Sequence, residues 1–211
     1  SSKNEWTVSG NDKQKNERIQ YSCKYLMSCT GYYDFDNGYT PDFKGLENFK
    51  GKFIHPQKWT DDIDYSNKNV IVIGSGATAI TLLPSLSEKA KRVTMLQRSP
   101  TYLMNISKKD TLINILFRFI PSKLAHFISR WKYILRQIYF YHISKRKPKE
   151  VKAYIKNEIK KNLPKDFDIE THFNPKYNPW DERVCVVVDN DLFSSINKGK
   201  CTVVTDHIKT F

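Results

Sequence analysis

Acidic residues are scarce in this chain relative to basic ones. There are 22 Asp and Glu against 35 Lys and Arg, which gives a formal net charge of +13. Cysteine is also scarce: the four residues form no C-x-x-C pair and stand at no zinc-ligand spacing from a histidine. The sequence therefore predicts no metal site and lacks the redox pair that a disulfide reductase needs. We expect reduced thiols in a cytoplasmic protein.

Long hydrophobic runs are absent as well. No apolar run reaches the length of a membrane span, and the first residues contain no apolar core typical of a signal peptide. The stretch 112–141 is rich in apolar and aromatic residues, but basic side chains interrupt it, so it is typical of amphipathic helices. The interrupting residues are Arg118, Lys123, Arg130, Lys132 and Arg136.

The excess of basic charge admits several explanations. Basic helices with solvated faces are the simplest, and attraction to a polyanionic cofactor or to an anionic membrane surface are the alternatives. No zinc-finger spacing, RNP-type segment or Arg-rich arm accompanies the charge, so we expect no nucleic-acid partner.

The centre of the chain has the pattern of a βαβ unit. Residues 69–73 are a β-branched run typical of a buried parallel strand, residues 77–86 have helical spacing, and residues 92–97 predict a second strand. Upstream, residues 5–8 and 19–29 predict two strands with no helix between them.

The rest of the chain is predicted to be largely helical. Residues 111–163 have a helical pattern that Pro121 and Pro148 divide into three helices. Residues 164–181 predict a loop, a short helix begins at Asp191, and residues 201–204 predict a third strand.

A glycine-rich turn follows the first strand of the βαβ unit and fits G-x-G-x-x-A. Its residues are Gly74, Ser75, Gly76, Ala77, Thr78 and Ala79. The first glycine permits a tight turn, the second lets the backbone approach a pyrophosphate, and the alanine lets the helix pack on the strand. The helix N-terminus then offers N–H groups to phosphates, and the two hydroxyl side chains add donors. The alternative is a glycine turn that binds nothing.

The end of the second strand indicates which dinucleotide is bound. An NAD site places Asp or Glu there, whereas this chain has Gln97, Arg98 and Ser99. The Arg98 guanidinium is suited to pair with a ribose 2′-phosphate, which favours NADP(H) over NAD. The alternative is a surface arginine that happens to follow a strand.

The segment before the βαβ unit carries a resemblance to a known family. Residues 49–59 fit F-x-G-x-x-x-H-x-x-x-W, with the histidine at His55 and the tryptophan at Trp59. This pattern resembles the fingerprint of Baeyer–Villiger monooxygenases in the flavin-containing monooxygenase superfamily. The stretch 74–101 looks like the NADPH domain of that family, and residues 177–183 look like a later segment.

The resemblance implies two cofactors, FAD and NADP(H), and two small-molecule reactants, O₂ and a ketone or soft-heteroatom substrate. In that family NADPH reduces FAD, and a flavin C4a-peroxide transfers one oxygen atom. The resemblance implies that His55 couples NADP binding to catalysis and that Arg183 is the active-site arginine. It also places Thr30, Gly31 and Trp59 near the cofactors.

Each of these residues has a simpler alternative. His55 precedes a proline and is suited to a turn or a buried structural position, and Trp59 is suited to packing. Arg183 has acidic neighbours, Asp181 and Glu182, with which it can pair at the surface. Glu182 also stands where many family members carry a lysine for the 2′-phosphate, which leaves Arg98 as the main support for NADP.

The chain differs from the family pattern in lacking the first, FAD-binding G-x-G-x-x-G motif. We therefore expect an α/β internal fragment. Residues 1–65 are predicted to be the rear part of an FAD-binding domain and the interdomain linker. Residues 66–211 are predicted to be a Rossmann-like NADP-binding domain with a helical insertion at about 108–165.

Alternative functions remain open. They are a truncated NADP-binding module without catalysis and an N- or S-oxygenating flavin monooxygenase. For the basic helices, contact with a membrane surface is less favoured than an insert that covers the NADP domain or forms part of the substrate cleft.

Overall fold

The chain forms two compact units in this computed structural model, which describes residues 4–31, 34 and 36–211. The first unit comprises Ser1–Asp42 and Lys50–Asp61, and the second comprises Phe43–Phe49 and Asp62–Phe211. The assignment of a flavin-domain segment and an NADP-binding domain to these parts of the chain stays a prediction.

The first unit contains a β-hairpin. Strands β1 (Trp6–Asp12) and β2 (Glu17–Cys23) pair antiparallel. The Asp12 carboxylate accepts hydrogen bonds from the backbone N–H groups of Gln14 and Lys15 and so stabilises the turn. The strand predicted at 19–29 is wrong in its bounds, because β2 begins two residues earlier and pairing ends at Cys23.

Parallel strands form the centre of the second unit. They are β3 (Asn69–Ile73), β4 (Arg92–Gln97), β5 (Tyr102–Ile106), β6 (Val184–Val188) and β7 (Cys201–Thr205). One sheet has the order β3-β4-β7, and β5 pairs with β6 in a second. The predicted strands at 69–73 and 92–97 are confirmed. The predicted last strand is confirmed as β7, whereas β5 and β6 were missed.

Helices join these strands and cover part of the sheet. They are α1 (Ala77–Ser87), α2 (Thr111–Phe119), α3 (Ser122–Arg146), α4 (Pro148–Asn162), α5 (Ile169–Phe173) and α6 (Asp191–Asn197). The core packs α1, α4 and α6 against the strands through fully buried side chains such as Leu83, Met95 and Leu192. The fold is therefore mixed α/β with parallel sheets, as the sequence predicts.

Two prolines set the helix boundaries in the helical segment. Pro121 precedes α3 and Pro148 is the first residue of α4, so the predicted division into three helices is confirmed. The loop predicted at 164–181 is wrong in part, because it contains α5, whose N-terminus the Asp168 carboxylate caps by accepting the Thr171 N–H at 3.0 Å. Among the described helices, even the 25-residue α3 has no apolar window long enough to cross a membrane.

Asp110 holds α2 and α3 together. Its carboxylate caps α2 by accepting the Ile113 N–H at 3.2 Å, accepts the Tyr133 hydroxyl at 2.8 Å and pairs with the Lys132 ammonium group. Hydrogen bonds from Lys132 and Tyr133 lower the pKa of Asp110 to about 2.

The low pKa of Asp110 predicts a pH-dependent contribution to stability. Because the pKa is lower in the folded state than in the unfolded chain, the contribution is complete above about pH 4 and is lost between about pH 4 and pH 2. We expect Asp110→Asn, which keeps a capping oxygen, to be less stable than the parent at pH 6, with the difference closing on acidification. Urea unfolding at several pH values measures this, and a difference that stays constant with pH would contradict it.

Candidate functional site

The turn after β3 is built around Gly74. This residue has φ +130°, a conformation that L side chains rarely adopt, and its N–H donates to the Leu96 carbonyl at 2.8 Å. A Cβ added at Gly74 would meet no atom within 4 Å, so backbone conformation rather than space requires glycine here. The bond to Leu96 fixes this turn at the carboxyl edge of β4.

Gly76 keeps the N-terminus of α1 open. It is the N-cap residue in an extended conformation, and no side chain caps the helix. Ala77 and Thr78 are exposed in the first turn, whereas Ala79 is buried, as expected for a small residue at a helix–strand contact. The first N–H groups of α1 therefore lack a side-chain partner and carry the positive end of the helix dipole.

Ser75 and Ser99 connect the turn after β3 to the segment after β4. The buried Ser75 hydroxyl donates to the exposed Ser99 carbonyl at 3.2 Å. In this arrangement the Ser75 side chain positions the two segments, and its predicted contact with a phosphate stays a prediction.

Arg98 is exposed at the carboxyl end of β4 because the strand alternates its side chains. The preceding residue, Gln97, points into the core, where its Nε2 donates to the His172 carbonyl at 2.7 Å and to the Thr205 hydroxyl at 2.9 Å. Among the described residues Arg98 has no ion-pair partner. Gln97 thus anchors the strand end, a role the sequence analysis missed.

Arg183 immediately precedes β6 and lies beside the glycine turn. A Cβ added at Gly76 would lie 3.6 Å from the Arg183 Nη1 atom, so a guanidinium group stands next to the open end of α1. The structure therefore brings Arg183 next to Gly76, although the two residues are more than 100 positions apart in the sequence.

A pair of tyrosines fixes the backbone of Arg183. The Tyr177 hydroxyl donates to the Arg183 carbonyl at 3.0 Å, and the Thr101 hydroxyl donates to the same carbonyl at 3.4 Å. Tyr102 is fully buried, donates to the Tyr177 carbonyl at 2.5 Å and packs edge-on against its ring. Burial raises the pKa of Tyr102 to about 12, so this hydroxyl stays a donor at all physiological pH values.

The surface ion pair considered for Arg183 does not form. The Asp181 carboxylate instead pairs with Lys145 at 2.7 Å, and the hydrogen bond from Lys145 lowers the pKa of Asp181. In the described part of the chain Arg183 has no ion pair with Glu182 either. The guanidinium group therefore keeps its charge available at the glycine turn.

His55 lies in the first unit at a single-turn 3₁₀ helix, Pro56–Lys58. Its Nδ1 atom accepts the Gln57 N–H at 3.2 Å, so the simpler alternative of a turn residue is present in the structure. The His55 ring lies against the backbone of Gly38, where an added Cβ would be 2.2 Å from Nδ1 and Cε1. The sequence analysis missed Gly38, because nothing local indicates that a side chain from residue 55 packs on it.

The other predicted cofactor residues of the first unit are exposed. Thr30 is exposed and its hydroxyl lies 3.4 Å from that of Ser28, Gly31 is exposed with φ +70°, and Trp59 is 39% exposed. Their contacts with a cofactor stay predictions.

The described residues hold no cluster of three or more His, Cys, Asp or Glu side chains that is suited to a metal ion. What the second unit does offer is an uncapped helix N-terminus, a left-handed glycine and two exposed cations, Arg98 and Arg183. Such an arrangement is suited to a ligand that carries several phosphate groups.

Comparison with known proteins places this arrangement in a family. The model of the flavin-binding monooxygenase-like family matches residues 1–209. The FAD-containing monooxygenase EthA of Mycobacterium tuberculosis (strain CDC 1551 / Oshkosh) is 44% identical over 209 residues, which are 99% of this chain and 42% of EthA. The chain thus spans less than half the length of this relative.

Solved structures share the fold. A steroid monooxygenase bound to NADP superposes with a TM-score of 0.62 at 17% identity, over 95% of this chain and 46% of its own. OTEMO in complex with FAD and NADP superposes with a TM-score of 0.59 at 19% identity, over 96% of this chain and 47% of its own. Because the family model spans nearly every residue, the chain belongs to the flavin-binding monooxygenase-like family.

Proposed function

We propose that the second unit binds NADP(H) and that the chain is part of an FAD- and NADPH-dependent monooxygenase of the Baeyer–Villiger type. The reaction would insert one oxygen atom from O₂ into a ketone. The observation that carries the proposal is the position of the Arg183 guanidinium beside Gly76 at the open end of α1.

The residues of this site fit a dinucleotide. The absent side chain at Gly76 leaves room for a pyrophosphate, and the free N–H groups of α1 would donate to it. Arg98, exposed and unpaired among the described residues, would bind the 2′-phosphate. Ser75 and Ser99 hold the two loops at a fixed separation, so little reorganisation is needed on binding.

Arg183 would act at the reacting end of the cofactors. A guanidinium group stays protonated and donates several hydrogen bonds, so it is suited to orient the nicotinamide and to stabilise negative charge that develops during oxygen transfer. Bound FAD would supply the redox chemistry by accepting a hydride from NADPH and activating O₂. The hydrogen bonds from Tyr177 and Thr101 to the Arg183 carbonyl hold the backbone of this residue in place.

The first unit would contribute the linker and part of the flavin site. The residues proposed for this are His55, Trp59, Thr30 and Gly31. Support comes from the linker pattern and from the FAD-containing relative. The free cysteines fit a cytoplasmic location, which is part of the same proposal.

The substrate class is tested on the full-length protein. We expect NADPH oxidation to rise on addition of ketones and the products to contain one added oxygen atom by mass spectrometry. Products from thioethers or amines alone would favour heteroatom oxygenation. Binding of NADP(H) with neither flavin uptake nor product would favour a binding module.

Arg98→Gln tests the preference for NADPH. Loss of charge-assisted hydrogen bonds, at about 1.5–3 kcal/mol, predicts a 10- to 150-fold higher KM for NADPH in the full-length protein, with little change for NADH. Arg92→Gln is the matched control, because Arg92 is exposed at the opposite end of the same strand. An equal rise in KM for both cofactors would contradict the role of Arg98.

Arg183→Gln tests the catalytic role. We expect kcat for oxygenation to fall about 10²- to 10³-fold, as for removal of a positioned donor at a developing charge. Arg183→Lys should retain part of the activity, because it keeps the charge without the planar fork. Product formation is measured by mass spectrometry, and thermal unfolding verifies that each variant is folded. An unchanged kcat in Arg183→Gln would rule out the catalytic role of Arg183.

Gly38→Ala tests the linker without changing His55 itself. The new methyl group would collide with the His55 ring, so we expect the ring to move and the yield of oxygenated product per NADPH to fall. The control is Gly10→Ala in the same unit, where a Cβ would meet Ile19 at an ordinary 3.9 Å. If both variants give the parent yield, the position of His55 does not matter for coupling.

A further inference from the structure

Helix α3 exposes a continuous apolar stripe to solvent. At 100° per residue its members fall within about 120° of one another on the helix surface, and each leaves between 40% and 67% of its surface exposed. The members of this α3 stripe are Leu124, Phe127, Ile128, Trp131, Leu135, Ile138 and Tyr139.

The opposite face of α3 is the one that packs on the protein. Ala125 and Ser144 are buried there, Phe140 and Ile143 pack against the core, and the Ser144 hydroxyl donates to the Phe140 carbonyl. Asp110 fixes the first half of α3 through Lys132 and Tyr133. The orientation that exposes the stripe is therefore set by contacts within the second unit.

Basic residues border the stripe on both sides. Lys123 and Arg130 fall on one flank, and Lys132 and Arg136 fall on the other. From residue 111 to residue 147 the chain has no Asp or Glu, while its Lys and Arg are Arg118, Lys123, Arg130, Lys132, Arg136, Lys145, Arg146 and Lys147. The neighbouring helix α2 also exposes apolar side chains, at Leu112 and Phe119.

This pattern differs from the other exposed apolar surface of the second unit. On the sheet β3-β4-β7 the exposed Ile71, Ile73 and Val204 share a face with Thr94 and Thr202, and Arg92 at one end of β4 is the charged strand residue of that face. An apolar stripe with tryptophan and tyrosine in it and cations along both edges is the pattern of a helix that lies in a lipid headgroup region. Long Lys and Arg side chains can reach the lipid phosphates while the stripe is buried.

We propose that α3 docks on an anionic lipid bilayer, with the α3 stripe inserted at the level of the headgroups and its flanking cations bound to lipid phosphates. Charge complementarity selects this occupant. Lys132 pairs with Asp110, but Lys123, Arg130 and Arg136 have no ion-pair partner among the described residues, and unpaired cations along the stripe favour an anionic surface over a neutral one. The docking would hold α3 at the membrane interface.

Vesicle co-sedimentation of the full-length protein tests the proposal. We expect binding to vesicles that contain phosphatidylserine, little binding to pure phosphatidylcholine, and release at high salt. Each Lys or Arg near an anionic surface contributes a factor of about five in affinity, so the triple variant Lys123→Gln, Arg130→Gln and Arg136→Gln should bind about 100-fold more weakly. Absence of binding by the full-length protein overturns the proposal.

A control variant distinguishes binding through α3 from attraction by the net charge of the whole protein. The triple control Lys160→Gln, Lys165→Gln and Lys198→Gln removes the same charge from exposed positions outside α2 and α3 and should bind nearly as the parent does. Equal losses in both triple variants would show attraction by net charge only and overturn the proposal.

The apolar part of the proposal has its own variant. Trp131→Gln should weaken binding to anionic vesicles and abolish the blue shift of tryptophan fluorescence that insertion produces. Circular dichroism verifies that each variant is folded, which is expected because the changed side chains are exposed. Sedimentation without lipid then detects a dimer that covers the stripe, and a dimer that does not bind vesicles would also overturn the proposal.

Discussion

The carbonyl oxygen of Arg183 accepts hydrogen bonds from two other segments of the chain, and the candidate site depends on this constraint. Tyr177 and Thr101 supply the donors, and Tyr102 holds Tyr177 in turn. Thr101 and Tyr102 lie at the end of the short segment that joins β4 to β5 and begins with Arg98, so this segment and the segment that carries Arg183 are fixed to each other. The pairing of β5 with β6, in which Tyr102 stands opposite Val184, holds the start of β6 near the same segment.

A second pair of hydrogen bonds joins the glycine turn to β4 and to the segment that follows it. The Ser75 hydroxyl bonds the Ser99 carbonyl, and the Gly74 N–H bonds the Leu96 carbonyl. Both sets of hydrogen bonds involve the short segment between β4 and β5. This segment therefore supports the glycine turn and Arg98, which are the two predicted phosphate contacts, and also Arg183, the predicted catalytic residue. This support consists of backbone carbonyls and hydroxyl groups, so contacts within the chain hold the candidate site together.

Local signals in the sequence were sufficient for the βαβ unit and for the helical segment. The β-branched run before Gly74, the spacing of α1 and the prolines at 121 and 148 each act within a few residues, and each predicted the element found. The pair β5 and β6 was missed because its strands are about 80 residues apart and neither stands out alone. α5 was missed because five residues are too few to show a helical period.

The same distinction holds for the site. The glycine motif and Arg98 could be proposed from local chemistry, whereas Arg183 was proposed only from the family resemblance. Its non-local contact with Gly76 was not predicted. Tyr177, Tyr102 and Gln97 act through backbone and core contacts, which a sequence pattern does not reveal. Gly38 is of the same kind, since its requirement for glycine comes from a histidine ring that packs on it from a distant loop.

One of the basic residues of α3, Lys145, forms an ion pair beside the candidate site. It lies near the end of α3 and donates to the Asp181 carboxylate at 2.7 Å, so it engages one of the two carboxylates considered as partners of Arg183. Trp180, next to Asp181, packs its ring edge-on against Phe140 and Tyr141 of α3. The C-terminal part of α3 therefore holds the loop that leads into Arg183. Because Lys145 engages the Asp181 carboxylate, the guanidinium beside Gly76 is left without that partner.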